Sequence, residues 1–529
     1  MSDPAPQSAH VRIAKSTGVL ALAIGLSRIL GFIRDLLMAR LFGTLIEAQA
    51  FVVAFRLPNL LRDLVAEGAV TSAFVPVLSW YRARGEIEEF WRLSHALLAR
   101  LLVLLCALGL VGVLAADPIV RLVAPGFIHE PEKFALTVKL TRLLFPFITL
   151  VGLWAYFMGL LNSLRRFAVP ALGPAILNLS MIVACVWVVP RVSAGVAALA
   201  ISVLLGGVIQ LAIQIPVAMR LGLRWRWRWR HPGSKEVLRL LGPRMVGAAV
   251  YQFNALIDTA CASLSQIVGE GAVAALYYAN RLVQLPLALF GTATAQASLP
   301  SLSEQAAHGD LAAFRSTLLA VLRMIGFVLL PSSIALIVLA YPIVGGLFER
   351  GAFDHRSTVM TAQALIFYSL GLLAYAVSKV LSGAFYALRD SRTPVTLAIE
   401  AFLLNAVLNV ILMFPMKLSG LALATAISNT QNAYRLIRRM EQRIGAPILS
   451  LVLPPLARML TAALIMGGVC GLMVHLRWCP GRPWLALPYL LLLGVGVYAL
   501  AARGLRIEEL VSMTRWLRRI PISRRCARK

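Results

Sequence analysis

Apolar runs of about twenty residues recur along the whole chain, separated by short polar segments. A helix needs roughly 20 apolar residues to cross a bilayer. The pattern predicts spans at 16–41, 47–79, 94–116, 134–163, 168–190, 195–219, 240–266, 271–300, 314–347, 359–388, 394–415, 418–436, 455–476 and 484–503. A transmembrane barrel would instead show short alternating segments, and these are absent. Composition agrees, with 59% of the 529 residues hydrophobic and 14% charged, where soluble domains run near a quarter charged. The expected fold class is an all-α polytopic membrane protein of about fourteen transmembrane helices. Gly18–Leu26 resembles a signal-peptide core, but no small-x-small site follows and the apolar pattern continues past Arg28, so it reads as an uncleaved first helix.

The net charge of +28 is explained by loop asymmetry rather than by nucleic acid. With the N-terminus inside, cytoplasmic segments hold Arg82, Arg84 and Arg92, then Arg165 and Arg166, Arg220 to Arg239, Arg389 and Arg392, Arg435 to Arg443, and the tail from Arg506 to Lys529. The opposite loops are poorer in Lys and Arg, with Arg477 and Arg482 as exceptions. This alternation predicts both termini in the cytoplasm.

An internal repeat organises the chain. The segment AFVPVLSWYRARGEIEEF at Ala73 matches ASLPSLSEQAAHGDLAAF at Ala297, a spacing of 224 (297 − 73). The same spacing pairs Gly159, Leu164, Arg165 and Pro170 with Gly383, Leu388, Arg389 and Pro394. The unit holds six helices, so two six-helix pseudo-repeats of like orientation are expected, as in parallel-repeat transporters, with two C-terminal helices beyond them. The lobes would be 1–224 and 225–445, the second preceded by a basic amphipathic linker, with the last two helices and a basic tail in 446–529.

Between Ser27 and Pro76 two membrane-length segments carry Arg28, Arg34, Arg40, Arg56 and Arg62. An arginine near the bilayer centre costs roughly 2.5–3.5 kcal/mol on insertion scales. Either these side chains snorkel from helix ends, or they line a water-filled cavity suited to an anionic cargo. In the repeat Asp258 falls opposite Arg34. It is the only carboxylate deep in its span, as ion ligand or proton carrier, or as a neutral hydrogen-bonding group. Asn405 and Asn409, one helical turn apart, and Thr425 offer oxygens that could join Asp258 around a small hard cation, or simply bond between helices.

Arg224-Trp-Arg-Trp-Arg-Trp-Arg230 suits a membrane interface, with indoles at headgroup depth and guanidiniums on anionic lipid. The six cysteines (Cys106, Cys185, Cys261, Cys470, Cys479 and Cys526) show no metal spacing or disulfide framework. No Gly-rich phosphate loop, HExxH, GxSxG or paired-carboxylate motif is present, so no catalytic residue is expected.

Ser27-Arg28-x-Leu-Gly-Phe-x-Arg34-Asp35, Phe55-x-Leu-Pro-Asn-Leu-Leu-Arg62, Ala66-Glu-Gly-Ala69, Ala73-Phe-Val-Pro76, Ala124-Pro-Gly-Phe127, Arg166-Phe-x-x-Pro170 and Tyr277-Tyr-Ala-x-Arg281-Leu resemble the MurJ (MviN) family. These are lipid II flippases of the MOP exporter superfamily, and the likeness runs from about residue 16 to about 505. The resemblance implies two lobes around a cationic cavity and a groove for a polyprenyl tail at the last two helices. The implied cargo is undecaprenyl-pyrophosphate bearing the peptidoglycan disaccharide-peptide, turned from inner to outer leaflet of the bacterial cytoplasmic membrane. It implies pyrophosphate binding by Arg28, Arg34, Arg62 and Arg281, and in some relatives a sodium ion at positions matching Asp258, Asn405, Asn409 and Thr425, with an Asp expected where Asn409 stands. No other cofactor is implied; the expected protein is a monomer whose partners would be the cell-wall synthesis machinery. Family carboxylates in the cavity are replaced here by Gln49, Asn280 and Gln284, which should leave it more positive. Rival readings are an exporter of another lipid-linked glycan or an amphipathic drug, a polyprenyl-phosphate glycosyltransferase, which needs a loop carboxylate site that does not stand out, or a non-transporting scaffold, which would tolerate loss of all four arginines.

Overall fold

A computed structural model describes residues 6–63, 74–224, 226–476, 478 and 483–511. The motif residues Ala66–Ala69 and Ala73, the side chain of Trp225, Arg477, Cys479, Arg482, Cys526 and the tail from 512 lie outside the described residues. Two compact units form, one of Met1–Ala274 with Arg350–Phe353, the other of Ala275–Glu349 with Asp354–Lys529.

The first unit contains α1 (Pro6–Phe42), α2 (Ile46–Asp63), α3 (Val75–Ala83), α4 (Ile87–Leu114), α5 (Ala116–Val123), α6 (Pro131–Leu144), α7 (Phe147–Ser163), α8 (Ala168–Ala171), α9 (Gly173–Val183), α10 (Gly195–Arg220), α11 (Gly233–Ala262) and α12 (Ser265–Val268). The second follows with α13 (Ala272–Pro286), α14 (Ala293–Ala307), α15 (Leu311–Val338), α16 (Ala340–Phe348), α17 (His355–Leu370), α18 (Leu372–Ala387), α19 (Arg392–Ile444), α20 (Ile448–His475) and α21 (Pro483–Gly504). No strand occurs among the described residues.

The chain is an all-α polytopic membrane protein. Among the described residues nine helices are long and apolar enough to cross a bilayer, or ten if the pair α17 and α18, bent by 44° at Gly371, is one span. Length and composition therefore do not reach fourteen. Helix α19 contains the expected spans 394–415 and 418–436 as two arms that meet at a non-helical kink at Lys417, at φ 53° and ψ −133°. A Cβ on Gly420 would lie 2.2 Å from the Leu412 carbonyl oxygen, so only glycine lets the chain double back that tightly. The expected first, second and seventh spans are outside the nine, and they carry Arg28, Arg34, Arg56, Arg62 and Asp258.

The repeat spacing of 224 recurs in the backbone. Helix α4 and helix α15 have 28 residues each, and Ile87 and Leu311 begin them. They end at Ala115 (φ −92°, ψ 17°) and Leu339 (φ −99°, ψ 17°). Gly85 and Gly309 precede them at φ 76° and 70°, and Arg165 and Arg389 take the left-handed region at φ 60° and 59°. Proline and acidic caps set the starts: Pro131 opens α6, and at the matching boundary the Asp354 carboxylate accepts from the Ser357 amide at 2.8 Å.

In the first unit α7 is central, packing on α2, α4 and α10. Its Tyr156 is fully buried and donates to the Ser94 carbonyl at 2.8 Å, which satisfies a hydroxyl in an otherwise apolar interior. The compact units divide at Ala274, whereas the repeat divides near 224. The reason is that α11 packs on α3, α4 and α5, with Arg56 donating to the Ala255 carbonyl at 2.8 Å. In the second unit α15 is the hub, against α14, α17, α18 and α20. Helix α21 joins it through Tyr498, whose hydroxyl donates to the Phe327 carbonyl at 2.8 Å.

Candidate functional site

Arg28 and Arg34 share α1 but are six residues apart, about 240° around a helix. One therefore turns inward when the other does not: Arg34 is 7% exposed, Arg28 exposed. Expected as a pyrophosphate ligand, Arg34 spends its guanidinium within the protein. Its Nε and Nη2 donate to Asp35 Oδ1 at 3.0 and 2.7 Å, and its Nη1 donates to Asn178 Oδ1 on α9 at 2.9 Å. Asn178 in turn donates to the Ser27 carbonyl at 3.0 Å, and Gly31 leaves it room, since a Cβ there would sit 3.3 Å from Nδ2. Asp35, 2% exposed, cancels the buried charge that would otherwise be prohibitive. Asn178 is absent from the sequence reading; its one signal is an amide inside the apolar run Ala175–Val183.

Arg62 is half-buried near the end of α2, and Arg40 is exposed at the end of α1. Gln49, 1% exposed, donates to Glu270 Oε1 at 2.8 Å and to the Thr44 carbonyl at 3.2 Å. It belongs to a clamp rather than to an open face. Lys133, wholly buried, meets Glu270 Oε1 at 2.7 Å and Glu130 Oε2 at 2.6 Å, while the Ser265 hydroxyl donates to Glu130 Oε1. Burial pushes the Glu130 carboxyl up, but Lys133 and Ser265 outweigh it and hold it below the ordinary value. Lys133 and Glu270 come together from 137 residues apart, a pairing no local spacing reveals.

In the second unit Tyr277, Asn280, Arg281 and Gln284 stand on one face of α13, at i, i+3, i+4 and i+7. Arg281 lies 4.9 Å over the Tyr277 ring, donates to the Tyr277 hydroxyl at 3.2 Å and to Gln284 Oε1 at 3.3 Å, and Gln284 donates to Asn280 Oδ1 at 3.3 Å. All four are half-buried. The residues of α13 include no carboxylate, so the helix orients the guanidinium without cancelling its charge.

Asn405 and Asn409 are buried on the first arm of α19. Ser428 on the second arm donates to Asn405 Oδ1 at 3.2 Å, and Thr425 donates to the Leu421 carbonyl at 3.1 Å. Amide and hydroxyl oxygens suit a hard cation. Asp258, half-buried in α11, belongs to the other unit. Among the described residues no group of three or more His, Cys, Asp or Glu could hold a metal.

The family model described as lipid II flippase MurJ matches residues 38–490. A lipid II flippase MurJ of Burkholderia cenocepacia is 35% identical over 424 residues, covering 79% of this chain and 82% of that protein. A protein of Vibrio cholerae named as a probable lipid II flippase MurJ is 33% identical over 519 residues, covering 95% and 98%. Among solved structures, a lipid II flippase MurJ in an inward closed conformation matches with TM-score 0.77 at 26% identity, over 94% of this chain and 99% of that one. An inward-facing multidrug MATE transporter of the MOP superfamily matches at TM-score 0.67 and 15% identity, over 80% and 98%, a likeness of fold alone.

Proposed function

Because the chain belongs to the lipid II flippase MurJ family, we propose that it turns lipid II from the inner to the outer leaflet of the bacterial cytoplasmic membrane. The observation that carries this is the match to the Vibrio cholerae relative along nearly the whole of both chains. No carboxylate or nucleophile arrangement for bond-making emerges from the geometry described, and the family is one of transporters.

The cargo's pyrophosphate is a compact multiple anion, and guanidinium is the side chain that meets such oxygens in pairs. Arg281 is oriented for this by a phenol and an amide of its own helix at 3.2 and 3.3 Å, and α13 itself carries no carboxylate. Arg28, exposed on α1, and Arg62, half-buried on α2, offer two further guanidiniums. Arg34 plays a different part, bracing α1 against α9 through Asn178, so that a phosphate reaches it only by displacing Asp35 or Asn178. The replacement of carboxylates by Asn280 and Gln284 then strengthens anion capture at Arg281, because an amide orients a guanidinium without neutralising it.

An inside-negative potential drives anions outward, at about 2.3 kcal/mol per charge per 100 mV, so a dianionic headgroup gains several kcal/mol on leaving the inner leaflet. Sodium at Asn405, Asn409 and Thr425 would supply only a compensating positive charge, and no step of this reading depends on it. We place both termini in the cytoplasm, following the Arg and Lys asymmetry of the loops. The test is translocation of fluorescent lipid II in liposomes containing the purified protein. Outward movement faster than in protein-free vesicles, and raised by an inside-negative potential, is expected; equal rates with and without the protein would contradict the assignment.

A further inference from the structure

The segment joining α10 to α11 carries Arg224, Arg226, Arg228 and Arg230, all exposed. The flipping reaction gives them no task. Their surroundings are unusual in one respect. Nearby arginines are matched within the protein: Arg92 with Glu88 and Glu89, Arg84 with Glu86 at 2.8 Å, and Arg82 with the Ser163 carbonyl at 2.7 Å. The four guanidiniums of the segment have no hydrogen-bond or ion-pair partner among the described residues. Yet the backbone that bears them is fastened to α4. Arg100 Nε donates to the Trp229 carbonyl at 2.6 Å, and the His95 ring is bonded to the Arg224 carbonyl. His231, bonded to Glu89 at 2.9 Å, ends the segment. Trp227 and Trp229, two residues apart and stacked at 6.3 Å, are both more than half exposed. Arg224, Arg226, Trp227 and His95 surround a shallow depression floored by Leu98 and Leu102.

A flexible basic loop would need no such fastening. Guanidiniums on a fastened backbone, beside exposed indoles and an apolar floor and just past the end of the spanning helix α10, match an amphiphile with a phosphate head: the arginines meet the phosphodiester, the indoles lie at the glycerol level and the leucines meet the first acyl carbons. We propose that Arg224, Arg226 and the Trp227 depression form a binding site for the headgroup of an anionic phospholipid. The site belongs to the surrounding membrane, not to the translocated cargo, and it holds the connection between the two six-helix repeats at the interface.

The test uses the full-length protein in mild detergent, with dioleoyl phosphatidylglycerol or dioleoyl phosphatidylcholine added, and reads bound lipid by native mass spectrometry. Phosphatidylglycerol should be retained and phosphatidylcholine lost. R224Q/R226Q should weaken retention about five-fold per arginine removed, and R224K/R226K should keep most of it. Equal retention of the two lipids by the unmodified protein would overturn the proposal without relying on any variant. So would undiminished retention by R224Q/R226Q. Displacement of the lipid by glycerol phosphate at similar concentration would also overturn it, showing a site for free phosphate. None of these outcomes bears on lipid II translocation, which is measured separately.

Discussion

The two halves of the chain run to the same backbone timetable and spend it on different chemistry. Helix α4 and helix α15 begin 224 residues apart and have equal lengths, and Arg165 and Arg389 adopt the same left-handed conformation. At matched positions the side chains part company. Glu130 and Lys133 form an ion pair where Asp354 and Ser357 form a neutral-donor cap at 2.8 and 2.7 Å. Arg34, buried and cancelled by Asp35, corresponds in the repeat to Asp258, 224 residues on. The first half pairs its deep charge with Asp35, whereas on α13 the second half orients Arg281 through Tyr277 and Gln284 of a helix that carries no carboxylate. The repeat thus fixes where helices start and stop, and it leaves the charges free to be placed for separate tasks.

The largest expected effect comes from unbalancing the locked charge. Asp35→Asn leaves Arg34 buried without its counter-ion and should cost about 3–5 kcal/mol, read as a fall in thermal midpoint. Arg34→Gln in the same chain should recover part of it. If Asp35→Asn costs no more than a surface substitution, the buried pair is not what distinguishes the halves.

Next come the matched pair at the starts of α6 and α17. Lys133→Met leaves Glu130 and Glu270 facing without a cation, and should destabilise by about 2–3 kcal/mol. Ser357→Ala, at the equivalent position, should cost about 1 kcal/mol. Equal effects in a denaturation series would erase the contrast.

Asp354→Ala should cost about 1 kcal/mol at neutral pH, a typical N-cap loss. Ser357, through its hydroxyl and its amide, holds the Asp354 carboxyl below the ordinary carboxylate value. A depressed pKa in the folded state gives stability that is present above the ordinary value and disappears as pH falls through the depressed one. The difference between wild type and variant should therefore shrink in acid; a difference that grows on acidification would reverse the assignment.

The smallest effect tests the shared backbone. Arg165→Gly and Arg389→Gly relieve a left-handed residue at the expense of unfolded-chain entropy, and should shift stability in the same direction by no more than about 1 kcal/mol each. Opposite signs would mean that the two turns are alike only in their angles.

Hydrophobic periodicity made most of this architecture readable, because span length and loop charge are imposed by the bilayer rather than by partners distant in sequence. The spacing of 224 was legible for the same reason: Gly85, Gly309 and the two arginines mark turns whose backbone demands are local. Three features were not. The break at Lys417 was placed between two apolar runs, but its tightness, set by the close approach of Gly420 to Leu412, was not. The fate of Arg34 depends on Asn178 from a helix 144 residues away. The Lys133 clamp joins α6 to Glu270 beyond α12, and both residues look like ordinary loop charges when read alone. Arg281 and its neighbours were singled out through the family resemblance of the Tyr277–Gln284 motif, and the structure sets all four on one face of α13.

Translocation of fluorescent lipid II by Arg281→Ala, beside the unmodified protein in matched liposomes, tests the central claim most directly. Removing the guanidinium should slow outward movement about ten- to hundred-fold, the worth of a charge-assisted hydrogen bond to phosphate, and Arg281→Lys should restore part of the rate. Unchanged translocation by Arg281→Ala, at equal protein content and thermal midpoint, would contradict it.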